Sequence, residues 1–150
     1  MAEPYQICTF YIGNYYFGID VQVVQEVIVR RKLTPVPLAP SVVCGILNLR
    51  GQIVTSIDLR HRLELSTEEK GVDPIHVVIH AGEDLVNVLV DSIGEVLEVD
   101  ENDFERTPDT LRGTARELIM GAYKLPDRLL LILDPDKIVE LEEIEPELMG

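Results

Sequence analysis

The chain repeats one pattern, and this internal duplication limits the folds that its 150 residues can adopt. Residues 45–63 (GILNLRGQIVTSIDLRHRL) align with residues 121–139 (GAYKLPDRLLLILDPDKIV) at a constant offset of 76, without a gap. Residues 17–28 align with residues 86–97 at an offset of 69, so the second copy carries about seven extra residues in its connector. The two matches occur in the same order, which indicates two copies of one unit.

Each copy is composed mainly of short apolar stretches separated by turn residues, which predicts roughly five strands per unit and a small barrel for each. We place the units at about residues 5–68 and 72–141 of a single domain, followed by an acidic tail at 142–150. Because units of about 70 residues bury little apolar surface alone, we expect the two barrels to pack on each other.

Local signals predict the elements of the first copy. Strands over Gln6–Ile12 and Tyr15–Ile19 flank a turn at Gly13-Asn14. Asp20 is a suitable N-cap for a short helix over Val21–Val27, on which several valines would share one face. We also expect a single helical turn capped by Ser41.

The remaining elements follow from the same signals. Asp58 and Asp134 occupy the same place in the two copies, which predicts a cap at each strand end. The other predicted elements are a helical turn over Asp58–Leu63, strands over Ile75–His80, Val86–Val90 and Leu129–Leu133, and a short helix over Asp136–Leu141 opened by Pro135.

The turn Arg50-Gly51 lies between two apolar stretches, Gly45–Leu49 and Ile53–Ile57. Gly51 can supply the positive φ of a tight hairpin, but a turn does not require an arginine. The second copy makes its turn with Pro126-Asp127, so the arginine is specific to the first copy. Recognition of a partner and a solvated arginine both explain it; in either case we expect Arg50 to be exposed, with Leu49 and Ile53 beneath it.

Net charge excludes some partners. With 13 basic and 27 acidic residues the chain carries −14, which repels phosphate backbones and acidic lipids, so neither nucleic acid nor a membrane surface is an expected partner. No stretch approaches the roughly 20 apolar residues of a membrane span, and no signal peptide is visible, so we expect a cytoplasmic protein. Cys8 and Cys44 lie in apolar stretches and predict buried, reduced thiols, with a disulfide as the alternative.

Catalytic and metal-binding patterns are missing from the sequence. It contains no phosphate-binding glycine loop, no dinucleotide fingerprint and no zinc spacing, so we expect no cofactor. His76 and His80 lie on a predicted strand, roughly 13 Å apart, which disfavours a shared metal. His61 in the sequence RHR reads as a surface residue.

The string LTPVPLAPSVVCGILNLRGQIVTSIDLRHRL, residues 33–63, closely resembles the CheW family of chemotaxis coupling proteins. The preceding FYIGNYYFGIDVQVVQEVI and much of the second half fit the same family, so the resemblance covers about residues 5–141. It implies two packed, five-stranded SH3-like barrels without catalytic activity. Thr55 and Ser56 depart from the family pattern, which more often has proline and an aliphatic residue there.

The resemblance also implies partners: the cytoplasmic tip of a chemoreceptor and the regulatory domain of a chemotaxis histidine kinase. The family's receptor-contact region falls on Val24, Glu26, Gly45, Arg50 and Gly51 of this chain. Arg50 would then donate hydrogen bonds to an acidic or carbonyl group of the receptor, with Glu26 as its orienter or a polar partner, Val24 as an apolar contact, and the glycines leaving room. An adaptor of pilus-based motility and, less in keeping with the sequence, a small-ligand or enzyme domain are the alternatives.

Overall fold

The structure is a computed structural model, and it describes residues 5–65, 73–106 and 113–140. Within these residues it is mainly β, with a few short helices, as the sequence predicts. The strands are β1 (Tyr5–Ile12), β2 (Tyr15–Asp20), β3 (Val24–Val29), β4 (Val43–Leu49), β5 (Gln52–Asp58), β6 (Ile75–Ala81), β7 (Asp84–Val90), β8 (Ser92–Val99), β9 (Phe104–Glu105), β10 (Ile119–Lys124) and β11 (Leu129–Leu133). The α-helices are α1 (Leu59–Arg62), α2 (Thr114–Leu118) and α3 (Pro135–Ile138).

The strands form two sheets. The five-stranded sheet has the order β3-β6-β7-β5-β4, and the six-stranded sheet has the order β8-β1-β2-β11-β10-β9. The second sheet thus has one strand more than predicted, because the two-residue strand β9 pairs with β10 at its edge. Each sheet contains one parallel pair, β5 with β7 and β11 with β2, among antiparallel neighbours.

The two copies exchange their first hairpins. Strands β1 and β2 belong to the first copy but pair with β8 and β11 of the second. Strands β6 and β7 belong to the second copy but pair with β3 and β5 of the first. Each sheet is therefore assembled from both copies, and the exchange is reciprocal.

Membership of the two sheets crosses the predicted division into residues 5–68 and 72–141. The five-stranded sheet uses residues 24–58 and 75–90, whereas the six-stranded sheet uses residues 5–20 together with 92–133. Sequence similarity identifies the copies, but pairing between strands far apart in the chain decides which sheet each strand joins. The acidic tail at 142–150 lies outside the described residues.

The offset of 76 is confirmed by the elements themselves. Helix α1 starts at Leu59 and helix α3 at Pro135, each directly after the second strand of an equivalent hairpin. Asp58 accepts from the backbone N–H of Arg60, and Asp134 accepts from that of Asp136, so the predicted caps are present. Such a cap satisfies donors of the first helical turn, which would otherwise lack partners.

Several local predictions are wrong. The helix over Val21–Val27 is a single 3₁₀ turn, Val21–Val23, followed by strand β3, although Asp20 does cap the turn. Valines at this spacing also alternate between two faces of a strand, and pairing with β6 favours the strand. The helical turn expected after Ser41 is absent, and Ile53 is 65% exposed rather than beneath the hairpin.

A shared apolar core lies between the two sheets. It takes side chains from β1 and β2 on one side, from β6 and β7 on the other, and from the short helices. Each sheet has a smaller cluster on its other face, with Leu47, Leu49, Val54 and Val78 in the five-stranded sheet. The exchanged hairpins thus bury apolar side chains in the shared core, which favours their interlocked arrangement.

Candidate functional site

The β4–β5 hairpin ends in a two-residue turn at Arg50-Gly51. Leu49 pairs with Gln52, and both turn residues have positive φ, +50° for Arg50 and +88° for Gly51. Positive φ at both positions is the geometry of a type I′ turn, the connection that best matches the twist of a hairpin. The side-chain oxygen of Asn48 accepts from the Gly51 N–H at 2.9 Å and holds the turn.

Arginine is a strained choice for this turn. A residue with a Cβ at φ +50° costs of order 1 kcal/mol relative to glycine. Proline cannot adopt positive φ, so Pro126-Asp127 of the second copy joins its strands by a different turn, closed by a hydrogen bond from the Leu125 N–H to the Arg128 carbonyl at 2.9 Å. Since the chain has another way to close this hairpin, the strained arginine points to a role beyond the turn.

Arg50 and Glu26 form an ion pair on the surface. Nη1 of Arg50 lies 2.8 Å from Oε1 of Glu26, and Nη2 lies 3.3 Å from Oε2. The Arg50 side chain is 74% exposed and that of Glu26 is 24% exposed. The prediction of an exposed Arg50 is confirmed. Two parallel N–H to oxygen bonds fix the plane of the guanidinium, so the arginine is held outward in one orientation.

The other predicted residues do not all reach this surface. Val24 is half-buried at the edge of the shared core, and Gly45 is buried. A Cβ on Gly45 would lie 2.7 Å from the Thr34 carbonyl oxygen, because Thr34 pairs with Ile46 at the outer side of β4. Gly45 is therefore buried beneath a crossing backbone that leaves no room for a Cβ.

Gly51 has open space around it. Nothing lies within 4 Å of the position where its Cβ would be, so the tip beside Arg50 is bare. Exposed apolar side chains that the sequence interpretation missed are Ile53 on β5, and Val27 and Val29 on β3. Residues two apart on a strand share one face, so a strand prediction would have placed Val27 and Val29 together, but the helix prediction hid that pattern.

A buried polar cluster lies beneath the hairpin. The Asn87 amide nitrogen donates to Ser56 Oγ at 2.9 Å and lies 3.0 Å from Nδ1 of His76. Burial lowers the pKa of His76; a hydrogen bond to the Arg31 backbone opposes this, and the positive charge of Arg31 adds to it. His76 is therefore neutral at pH 7. Oδ1 of Asn87 has no hydrogen-bond partner within the described residues.

The histidines and cysteines that the sequence analysis considered do not form a metal site or a disulfide among the described residues. His76 bonds to Asn87, and Nε2 of His80 lies 2.7 Å from the side-chain oxygen of Gln25. The part of the chain that the structure describes holds no group of three potential metal ligands. Cys8 is buried and Cys44 is exposed, and both are free, so the prediction of a buried thiol is wrong for Cys44.

Comparison with known proteins identifies the family. The model of the CheW-like domain matches residues 6–143, close to the 5–141 expected from the sequence. "Chemotaxis protein CheW" of Treponema pallidum is 30% identical over 147 residues, covering 95% of this chain and 86% of that protein. The protein of the same name from Thermotoga maritima is 31% identical over 138 residues, covering 92% and 89%.

A solved structure agrees with these matches. The crystal structure of the scaffolding protein TtCheW from Thermoanaerobacter tengcongensis superposes with a TM-score of 0.84 at 28% identity, covering 92% of this chain and 94% of that one. The superposition therefore covers most of the chain. On the family match, the two relatives and the shared fold, this chain belongs to the family of CheW-like domain proteins.

Proposed function

We propose that the chain is a non-catalytic scaffold of chemotaxis that couples the cytoplasmic tip of a chemoreceptor to a histidine kinase. The names of its relatives support the pathway, and that of TtCheW supports a scaffolding role. Within the described residues no helix has the length and apolar character to span a bilayer. We place the protein in the cytoplasm, at receptor arrays, with no cofactor.

The single observation that carries the proposal is the exposed Arg50–Glu26 pair at a strained turn. A guanidinium has five N–H donors, and Glu26 uses two of them. Arg50 can therefore keep its orienting partner and donate its remaining hydrogens to a carbonyl or carboxylate of a receptor helix. Because the guanidinium is oriented before binding, little side-chain entropy is lost when the partner arrives.

The remaining predicted residues support this contact in different ways. Bare Gly51 lets a helix backbone approach the tip, and exposed Ile53 supplies apolar surface next to it. Val24 contributes the part of its side chain that the core leaves uncovered. Gly45 supports the contact indirectly, because its missing side chain allows the Thr34 backbone to pass close to β4. We place the kinase interface elsewhere on the protein.

The experiment is titration of a receptor-tip fragment with wild type and Arg50→Ala. Loss of a charged hydrogen bond at the interface is expected to cost about 1.5–3 kcal/mol, or roughly ten- to a hundred-fold in affinity. Lys124→Ala is the control, since it removes one exposed positive charge near the tip of the second hairpin. Thermal unfolding of each variant separates binding from stability.

Two outcomes contradict the proposal in different ways. Unchanged receptor affinity in a folded Arg50→Ala variant removes the assigned role of Arg50. An equal loss of affinity for the kinase regulatory domain means that the two interfaces are misplaced. Glu26→Gln gives an independent check, because it should weaken receptor binding only as long as Arg50 is present.

A further inference from the structure

Three consecutive basic residues, Arg30, Arg31 and Lys32, form an exposed patch between β3 and β4, which we call the basic patch. It is the only run of three basic residues in a chain of net charge −14. Arg31 donates to the Asn48 carbonyl at 2.8 Å. Arg30 and Lys32 form no ion pair or hydrogen bond with any residue that the structure describes. Three adjacent cations repel one another, so a negatively charged group bound at the basic patch would offset this repulsion.

The basic patch borders a surface cavity of about 460 Å³. Leu33, Pro74 and Leu89 give the cavity an apolar part, and neutral His76 lies in its wall. Among the residues that the structure describes, Asp73 is the one carboxylate in its lining, beside three cations. A cavity with apolar walls and a positive rim fits an acidic segment that also carries apolar side chains.

We propose that the cavity and its basic patch bind residues 141–150 of this same chain, a segment that consists of Leu141 and the acidic tail. The sequence of that segment, LEEIEPELMG, alternates four glutamates with leucine, isoleucine and methionine and contains no basic residue. Its charges complement the basic patch, and its apolar side chains match the apolar part of the cavity. This assignment does not depend on the receptor-binding role of Arg50.

The described chain ends within reach of the cavity. Arg62 on α1 donates to the carbonyls of Ile138 and Glu140, at 2.9 and 3.2 Å, and so holds the start of the tail beside α1. Helix α1 begins directly after Asp58, which pairs with Leu89, a residue of the cavity wall.

The remaining distance is short compared with the length of the tail. Asp58, Leu89, His76 and Ile28 lie side by side on β5, β7, β6 and β3, so roughly 14 Å separates Asp58 from the strand that leads into the basic patch. The length of helix α1, from Asp58 to Arg62, adds about 6 Å to the span that the tail must cover. Ten residues span up to about 33 Å when extended and have a mean end-to-end distance of about 17 Å as a flexible chain. A tether of this length gives the tail an effective concentration in the millimolar range at the patch.

The test compares amide NMR spectra of the full chain with those of a chain ending at Glu140. We expect shift differences at residues 29–33 and 73–76, and their reversal when about 0.5 M NaCl screens the charges. A second variant keeps the tail but replaces Glu142, Glu143, Glu145 and Glu147 with glutamine, and it should reproduce the truncated spectrum at those amides. Glu95→Gln/Glu98→Gln on β8 is the control for removing carboxylates elsewhere on the surface, and it should leave those amides unchanged.

Other occupants give different results. Shift differences that grow with protein concentration mean that the tail binds a second copy, and they overturn the intramolecular contact. Differences confined to another basic region, such as that around Arg116, or none at all, overturn the assignment of the basic patch. In Arg30→Glu/Lys32→Glu the full and truncated spectra should coincide at residues 73–76; a difference that persists there contradicts the proposal.

Discussion

The two equivalent hairpins, β4–β5 and β10–β11, share a frame and differ at their tips. Both end in an aspartate-capped helical turn, and both carry a glycine, Gly45 or Gly121, where another stretch of backbone crosses. In the first, Arg50 points into solvent and is held by Glu26. The second also has an arginine near its tip, Arg128, but its guanidinium lies 4.0 Å from the ring centre of Tyr16.

This difference separates what the fold needs from what a partner needs. The caps and crossing glycines recur because each hairpin must start a helical turn and admit a neighbouring strand. The two arginines do not have the same role. Arg128 is stacked on aromatic rings, where it adds to stability, whereas Arg50 is exposed to solvent. Inside, Ser56 belongs to a polar cluster, whereas Ile132 at the equivalent position lies in an apolar one.

The largest expected effect comes from the crossing glycines. A Cβ at residue 45 would meet the Thr34 carbonyl at 2.7 Å with φ at +148°, so Gly45→Ala should lower the free energy of unfolding by about 3 kcal/mol. Gly121→Ala should cost about 2 kcal/mol, because the Cβ would lie 2.5 Å from the Glu105 carbonyl. Gly51→Ala is the control, with open space and a strain cost of about 1 kcal/mol. Denaturant unfolding measures all three, and equal losses would refute the crossing-strand explanation.

Lowering the pH should destabilise the β4–β5 hairpin before the β10–β11 hairpin. The pKa of folded His76 lies below the ordinary 6.5, so between these two values the unfolded chain binds a proton that the folded chain does not. The contribution of His76 to the free energy of unfolding is fully present above pH 6.5. It falls as the pH drops below 6.5, by at most about 1.4 kcal/mol per pH unit. Hydrogen exchange should report faster opening in β4–β5 than in β10–β11 as the pH falls.

The control for this pH dependence is a second histidine on the same strand. His76→Gln should remove the excess loss of stability below pH 6.5, whereas His80→Gln should keep it, since His80 is exposed. A slope that survives in His76→Gln would assign the acid sensitivity to other groups.

The smallest effect concerns the two arginines. Arg50→Ala should change the free energy of unfolding by no more than about 0.5 kcal/mol, as expected for an exposed side chain with one surface ion pair. Arg128→Ala should lower the melting temperature more, because it removes the contacts with Tyr11 and Tyr16. Calorimetry of the two variants under the same conditions compares their melting temperatures. A larger loss in Arg50→Ala than in Arg128→Ala would mean that Arg50 is the arginine that stabilises the fold.

Local chemistry made much of this arrangement predictable. The gapless offset located both hairpins and both caps, because capping and turn formation depend on residues a few positions apart. The resemblance to a family, rather than any spacing, brought Glu26 together with Arg50, which lies 24 positions away. The strand at Val24–Val29 was missed because its pairing with β6 is a long-range contact that outweighs local helix signals. The stacking of Arg128 and the exchange of hairpins have the same non-local origin.

The exchanged hairpins set an order in which the protein can fold during synthesis. All strands of the five-stranded sheet lie between residues 24 and 90, so that sheet can close while the rest is still being translated. The β1–β2 hairpin is made first, yet its neighbours β8 and β11 are made late, the second of them at residues 129–133. The outer edge of β1 therefore stays open until β8 is made, and that of β2, a strand rich in aromatic side chains, stays open until residues 129–133 are made.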